Sequence, residues 1–199
     1  DSLSSKGEPY ARIYPCKLGG TVLTRRNQVE AYFSGKGVML AKCFVRSKIE
    51  NMGNFLISLG KSRRNGVLRK SGKDILGYYN RVNELEGNIE EIRGRLMGVE
   101  GEVSRLYFDA LGEVLPSEIY SGGRSRRPPK DIFNAFLSYG YGVLYSEIER
   151  ACIISGLDPY LGFLHADRHG RVSLVLDLIE EFRQAIVDRA MVTLAVRRR

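Results

Sequence analysis

Cysteine pairs, a run of apolar residues long enough to cross a bilayer and a nucleotide-binding loop are all missing from this chain of 199 residues. Cys16, Cys43 and Cys152 are odd in number, far apart and without a Cys-x-x-Cys pair. That usage argues against a disulfide framework and against a structural zinc site, and it fits a reducing cytoplasm. No stretch approaches the roughly 20 apolar residues that a membrane span requires, and nothing at the start resembles a signal peptide, so a soluble chain is expected. Without a Gly-x-x-x-x-Gly-Lys-Ser/Thr loop, nothing points to ATP hydrolysis. Histidine is scarce too, with only His165 and His169. The chain opens at Asp1 without an initiator Met, in a segment of short apolar runs, and a truncated or processed chain is expected.

What is present is enough apolar material for a core, 43% of residues, at a length that suits one domain or two small ones. The formal charge of +8 is unevenly spread. Residues 1–75 carry 15 Lys/Arg against 5 Asp/Glu, whereas residues 76–199 carry 16 against 18. A localised positive surface points to phosphate-rich partners, because each cation that neutralises a phosphate releases condensed counterions. A solvated basic face accounts for the same charge.

Residues 10–23 predict a strand, a turn at Gly19-Gly20 and a second short strand. From Thr24 the chain reads as helical. Val38, Ala41, Phe44, Val45, Ile49, Met52, Phe55, Leu56 and Leu59 recur at three and four residues, as in one long amphipathic helix with Lys42, Arg46 and Lys48 on its polar side. A second helix is expected over about 73–96, a break at Gly98, and a third over about 99–114 with Glu100 and Glu102 in its first turn. Acidic residues there also complement the helix dipole, so a structural role is open for both. Residues 116–130 mix Pro, Gly and Ser with Arg124, Arg126, Arg127 and Lys130 and predict a mobile basic loop. Asp131 is a cap for a helix to about Ser155, and Ser173 a cap for a last helix ending near Val196. The fold class is therefore mainly α, a multi-helical lobe over residues 24–199 preceded by residues 1–23 as the end of a β-strand domain.

Both histidines flank the turn that feeds the last helix, where Asp177, Glu180, Gln184 and Asp188 recur at three or four residues along one stripe. Val175, Leu178, Ile179, Phe182 and Ile186 fall opposite. An acidic stripe can be a solvated face, and a lone histidine a structural hydrogen bond. The functional reading joins an imidazole to carboxylates near a phosphate-seeking surface: oxygen-rich ligation with one nitrogen suits Mg2+ or Mn2+, and such an ion serves phosphodiester chemistry. Tyr139, Tyr141 and Tyr145 lie at helical spacing and read as core or base-stacking surfaces rather than covalent nucleophiles.

The stretches MGVEGEVSRLYFDAL (97–111), RSRRPPKDIFNAFLSYGYGVL (124–144) and GLDPYLGFLHADRHGRVSLVLDLIEEFRQAIVDR (156–189) resemble the CRISPR-associated protein 1 family, and the likeness extends back through TRRNQ (24–28) and AKCFVRSKIENMGNFL (41–56). The resemblance implies that Glu100, His165 and Glu180 match the family's metal ligands and Asp177 an acidic residue beside them. It places Asn134 and Tyr145 around the active centre and makes Arg124, Arg126 and Arg127 a DNA-contacting loop. The basic residues Arg25, Arg26, Lys42 and Lys48 are further candidate DNA contacts. His169, in a turn of variable length among relatives, is expected to be a bystander.

The implied activity is metal-dependent nicking of DNA and insertion of short duplexes into a CRISPR array by 3′-hydroxyl transesterification, part of antiviral adaptive defence. Implied partners are double-stranded and branched DNA, a second copy of the chain in a homodimer, and a small ferredoxin-like CRISPR-associated protein. Alternatives are a transposase relative that integrates mobile elements and a non-catalytic DNA-binding fragment.

Overall fold

The computed structural model describes residues 2–3, 9–11 and 21–197. Strands β1 (Ser2–Leu3) and β2 (Pro9–Ala11) pair antiparallel. Cys16 and most of the expected strand-turn-strand at 10–23 lie outside the described residues. Of the part that is described, Tyr10 and Ala11 are in a strand as expected, but Val22 and Leu23 are helical, because helix α1 (Thr21–Phe33) extends back past them. The rest is mainly α, as the periodicity predicts. Among the described residues no helix is long and apolar enough to cross a membrane.

Helix α2 (Gly35–Ser62) follows the expected stripe, with Ala41, Phe44, Val45, Ile49, Met52 and Leu56 all buried. Its 28 residues span about 42 Å, and the other elements are arranged around it. Helix α3 (Gly66–Asn83) starts at Asn65, whose side chain accepts from Leu68 N at 3.0 Å. Helix α4 (Ile89–Leu111) starts at Asn88 in a reciprocal cap: Asn88 Oδ1 accepts from Glu91 N at 3.1 Å, and Glu91 Oε2 accepts from Asn88 N at 3.0 Å. Two donors that a helix start leaves orphaned are thereby satisfied.

The chain is thus divided between residues 83 and 89, with Gly87 at φ +124 in the turn, and not at Gly98. Gly98 sits inside α4 on its exposed face, where a missing side chain costs only helix propensity. Glu100 is consequently in mid-helix rather than in a first turn, which removes the helix-dipole account of it.

Helix α5 (Ile132–Ile154) is capped as expected, with Asp131 Oδ1 accepting from Asn134 N at 2.7 Å. Past its end, Gly156 takes φ +77, a conformation that favours glycine. The last helix is interrupted. Helix α6 (Ser173–Ile179) gives way to a π-helical segment (Arg183–Asp188) and then to α7 (Arg189–Arg197). Ser173 is its first residue rather than its cap; its hydroxyl is buried and donates to Ala166 O at 3.2 Å.

Helices α3, α4 and α6 and the π segment all pack against α2, and α5 covers α6, the π segment and α7. Helices α2 and α3 meet backbone to backbone at Gly53 and Gly72. A Cβ on Gly72 would stand 2.6 Å from Gly53 O and 2.8 Å from Ile57 Cγ1. Gly77, in the same helix, has nothing within 4 Å. Gly72→Ala is therefore expected to destabilise by about 1–3 kcal/mol, lowering the melting temperature by roughly 3–10 °C. Gly77→Ala is expected to raise it slightly through helix propensity alone. Thermal melts of the two variants check this, and equal shifts would refute the close approach.

Candidate active site

Along α2, Lys48 falls on the apolar stripe between Val45, Ile49 and Met52 rather than on the polar side. It is 2% exposed. The sequence expectation of a solvated Lys48 is thus corrected: position 48 is one turn from Phe44 and Met52 on the face that α4 and α6 cover. Its ammonium contacts Glu100 Oε1, and Glu180 Oε2 lies 2.6 Å away. A buried ammonium has three protons to place and no acceptor of its own, and here two carboxylates from different elements provide for it.

Glu100 also accepts from Ser104 Oγ at 3.1 Å, one turn along α4. Glu180, at the end of α6, is 4% exposed and takes Arg183 on its other oxygen. Burial by itself would push the Glu180 carboxyl up, but the Lys48 and Arg183 cations outweigh it and hold the group below the usual range. The Glu180 Oε2 approach to Lys48 is a close ion pair without a directed hydrogen bond, so this buried oxygen keeps unused accepting capacity.

His165 is placed by Asp177. The buried Asp177 carboxylate accepts the backbone N–H groups of Phe163 (2.6 Å), Leu164 (3.0 Å) and His165 (2.9 Å), and its Oδ1 lies 2.7 Å from His165 Nδ1. Gly162 permits this close approach, since a Cβ there would stand 2.7 Å from Ser173 Cβ and 3.0 Å from Asp177 Oδ2. With Nδ1 engaged by a carboxylate, Nε2 is the ring nitrogen available for a ligand, the arrangement typical of metal-binding histidines. His165 is close enough to Glu180 to help lower its pKa.

The stripe Asp177, Glu180, Gln184 and Asp188 does not face water. All four are buried, whereas Phe182 and Ile186 on the supposed apolar side are 41% and 53% exposed. The interior offers partners to three of them, while the buried Gln184 amide meets no hydrogen-bond partner among the described residues. Besides those of Asp177 and Glu180, Asp188 accepts from Tyr107 OH at 2.9 Å and Tyr141 OH at 2.5 Å.

Tyr141 in turn lies under two guanidinium groups, with Arg183 at 4.9 Å and Arg124 at 5.4 Å from its ring centre. Arg124, half-buried, donates to Asn134 Oδ1 at 3.0 Å and Ser138 Oγ at 2.9 Å, and burial pulls its pKa down. Asn134 is fully buried: its amide holds Ser125 N, Gly123 O and Asp131 Oδ2 as well as Arg124. The basic loop is therefore fastened to α5, while Arg126, Arg127 and Lys130 point outward.

Loop and site meet along an open cleft of about 740 Å³ lined by Arg124, Arg126, Arg127, Tyr141, Tyr145 and Arg183 among others. Tyr145 is half-buried, its phenol pushed up to about 12 by burial and by Glu149.

The remaining sequence-selected residues stand apart. Arg25 and Arg26 are exposed on α1. Lys42 and Arg46 are half-buried and reach Asn83, at O and Oδ1 respectively, each at 3.1 Å. Tyr139 is 73% exposed, and His169 lines a separate shallow pocket with Asp158 and Arg168.

Sequence reasoning missed Arg183 and Gln28. The Gln28 amide is buried and donates to Asp158 O and Leu161 O, each at 2.9 Å, while accepting from Asp158 N at 2.8 Å, fixing the turn that leads to His165. Gln28 ends the TRRNQ stretch that carries the resemblance, but a glutamine in a short basic stretch gives no sign of the distant backbone it holds. Lys48, in contrast, interrupts an otherwise apolar stripe, and that interruption was available to read.

Among the described residues no three carboxylate, imidazole or thiol groups already close on one point as a finished metal shell does. The donor chemistry nevertheless fits a divalent cation. Glu100 and Glu180 already share one cationic atom, a buried Glu180 oxygen has spare capacity, and an imidazole nitrogen is oriented nearby.

A helical lobe built this way belongs to the Cas1 proteins: the family described as CRISPR associated protein Cas1 matches residues 2–199, and the chain is a member of it. The CRISPR-associated endonuclease Cas1 1 of Archaeoglobus fulgidus is 42% identical over 96% of this chain and 59% of its own length. CRISPR-associated endonuclease Cas1 1 of Pyrobaculum aerophilum is 39% identical over 90% of this chain and 57% of its own length. A solved Cas1 structure from Thermotoga maritima superposes with a TM-score of 0.76 at 28% identity, covering 98% of this chain and 60% of that one. A casposase bound to integration product gives a TM-score of 0.78 at 26% identity, over 97% of this chain and 52% of that one. The chain thus spans a little over half the length of these curated relatives.

The Asp188 carboxyl is pushed up to about 6 by burial, which outweighs the lowering effect of its two tyrosine donors. A folded-state pKa above the unfolded one means the native state holds the proton more tightly. The resulting stabilisation is complete below about pH 4 and is lost as pH rises through about 6, on the order of 3 kcal/mol in all. Asp188→Asn is expected to flatten this fall. Melting temperatures measured from pH 4 to 7 check it, and a parallel decline in both proteins would refute the assignment.

Proposed function

We propose that the chain carries the catalytic lobe of a divalent-metal-dependent DNA endonuclease and integrase of CRISPR spacer acquisition. The observation that supports the reading is that Glu100 and Glu180, from separate elements, share the Lys48 ammonium, with His165 close enough to Glu180 to lower its pKa and a cleft lined with arginines alongside. Glu100, Glu180 and His165 Nε2 would hold Mg2+ or Mn2+, and such an ion supplies charge neutralisation at a phosphodiester and activation of a water or 3′-hydroxyl. Asp177 fixes the imidazole by holding Nδ1 and three backbone N–H groups. Arg183 keeps Glu180 ionised and borders the cleft, where Arg124, Arg126 and Arg127 present charge to phosphates and Tyr145 a face for a base.

The absence of a nucleotide-binding loop agrees with a strand-transfer step, since exchanging one phosphodiester for another conserves the bond and requires no ATP. Two-metal or one-metal hydrolysis would use the same donors. The helical residues from Thr21 onward act in this reading as the catalytic domain, and the residues before them as the end of a β domain. Double-stranded and branched DNA are the substrates. A second copy of the chain and a small ferredoxin-like CRISPR-associated protein complete the assembly, in line with the likeness at TM-score 0.74 and 26% identity to a solved Cas6-RT-Cas1–Cas2 complex.

The casposase likeness supports a second reading, integration of a mobile element by the same site. The chemistry is common to both, and the choice between short spacer duplexes and element ends as donors separates them.

Nicking of branched DNA with Mn2+ is expected from the parent chain, with Glu100→Ala and His165→Ala each reduced roughly 100-fold or more. Equal rates in all three proteins would defeat the proposal.

A further inference from the structure

We propose that the Lys48 ammonium is a built-in place-holder for the divalent cation, so that the metal must displace it to bind. This inference rests on the metal-site reading above. Lys48 Nζ contacts Glu100 and stands 2.6 Å from Glu180, the two carboxylates that would ligate the ion, and the side chain is 3% exposed. An ammonium in that position satisfies the same anions as a metal would, and both cannot stand there.

The charge count points the same way. Glu180 is already paired on its other oxygen with Arg183, so two protein cations face the Glu100–Glu180 pair before any ion arrives. The other groups near this pocket include the Ser104 hydroxyl, on Glu100, the buried Asp188 carboxyl, whose charge Lys48 and Arg183 favour although burial keeps its pKa high, and His165, whose partner Asp177 is taken up by it and by the backbone N–H groups of Phe163 and Leu164. A divalent ion added without moving Lys48 would therefore meet repulsion that the carboxylates have little remaining charge to offset. Removing the ammonium frees Glu100 and the Oε2 oxygen of Glu180, with Arg183 remaining on Oε1.

Lysine suits this role better than arginine does. It is a compact charge on a flexible four-carbon stem, so Nζ can swing while the methylenes stay packed on α2, whereas a planar guanidinium is held by its geometry. Glu100 is the more open of the two carboxylates, 16% exposed against 5%, and it marks the side on which a displaced ammonium reaches solvent. A DNA phosphate arriving there would give Lys48 a new anionic partner. Metal and DNA binding are then coupled, and linkage requires each to strengthen the other by the same factor, within the usual range of about 5–150-fold.

The test is Mn2+ affinity, measured by titration calorimetry and by the paramagnetic signal of free Mn2+. The full 199-residue chain is compared with Lys48→Gln and Lys48→Arg, each with and without a branched DNA duplex. Lys48→Gln is expected to bind Mn2+ at least about 5-fold more tightly than the parent without DNA, and to lose most of the gain that DNA gives the parent. Lys48→Arg, which keeps the charge, should not tighten. Because Lys48→Gln leaves two carboxylates facing each other, its melting temperature is followed as well, and Mn2+ should raise it more than it raises that of the parent.

Parent binding that Lys48→Gln matches or falls below, or a DNA effect equal in the two, overturns the place-holder while leaving the metal site standing. Failure of the parent and both variants to bind Mn2+ even with DNA overturns the metal site and this inference together.

Discussion

One buried ammonium joins three segments of the chain that are far apart in sequence. Lys48 on α2 reaches Glu100 on α4 and Glu180 at the end of α6, and the remaining features of the site are built outward from that junction. Arg183 completes the Glu180 carboxylate; Tyr141 carries Arg183 and the Asp188 hydrogen bond; Arg124 lies on Tyr141 and holds the basic loop. Buried charge is tolerated only where partners are arranged in advance, and truncating one member of such a pair leaves the other stranded at a cost of about 3–5 kcal/mol. The geometry of the site is thereby linked to the stability of the fold.

Much of this was legible in the sequence, and the parts that were not have identifiable causes. The apolar stripe of α2 and the Asp131 cap follow from local rules, because three- and four-residue spacing and a carboxylate before a helix act within a turn or two. The division of α3 from α4 was misplaced because Gly98 is conspicuous as a letter but harmless on an exposed helix face. The effective signal was the Asn88 to Glu91 cap.

The burial of Asp177, Glu180, Gln184 and Asp188 was not legible from spacing at all. A polar stripe has the same period whether it faces water or an interior already furnished with Lys48, Arg183, Tyr107, Tyr141 and three backbone donors. Arg183 is local, three residues on from Glu180, but the other partners come from α2, α4, α5 and the turn before α6, so only the tertiary fold brings them to the stripe. The π segment belongs to the same class: it buries Gln184, Val187 and Asp188, and no residue pattern announces it.

The attachment of the basic loop has a further meaning. Asn134, itself enclosed in α5, occupies both ends of its amide with the backbone and side chains of Gly123, Arg124, Ser125 and Asp131. Arg126, Arg127 and Lys130 therefore project from a fastened scaffold. A polyanion meeting them would find the cations already placed, with less conformational entropy to surrender on contact than a slack loop would demand. In kinetic terms such a surface favours fast capture over slow adjustment, and the shape of the loop, as much as its charge, would decide which duplex geometries it accepts.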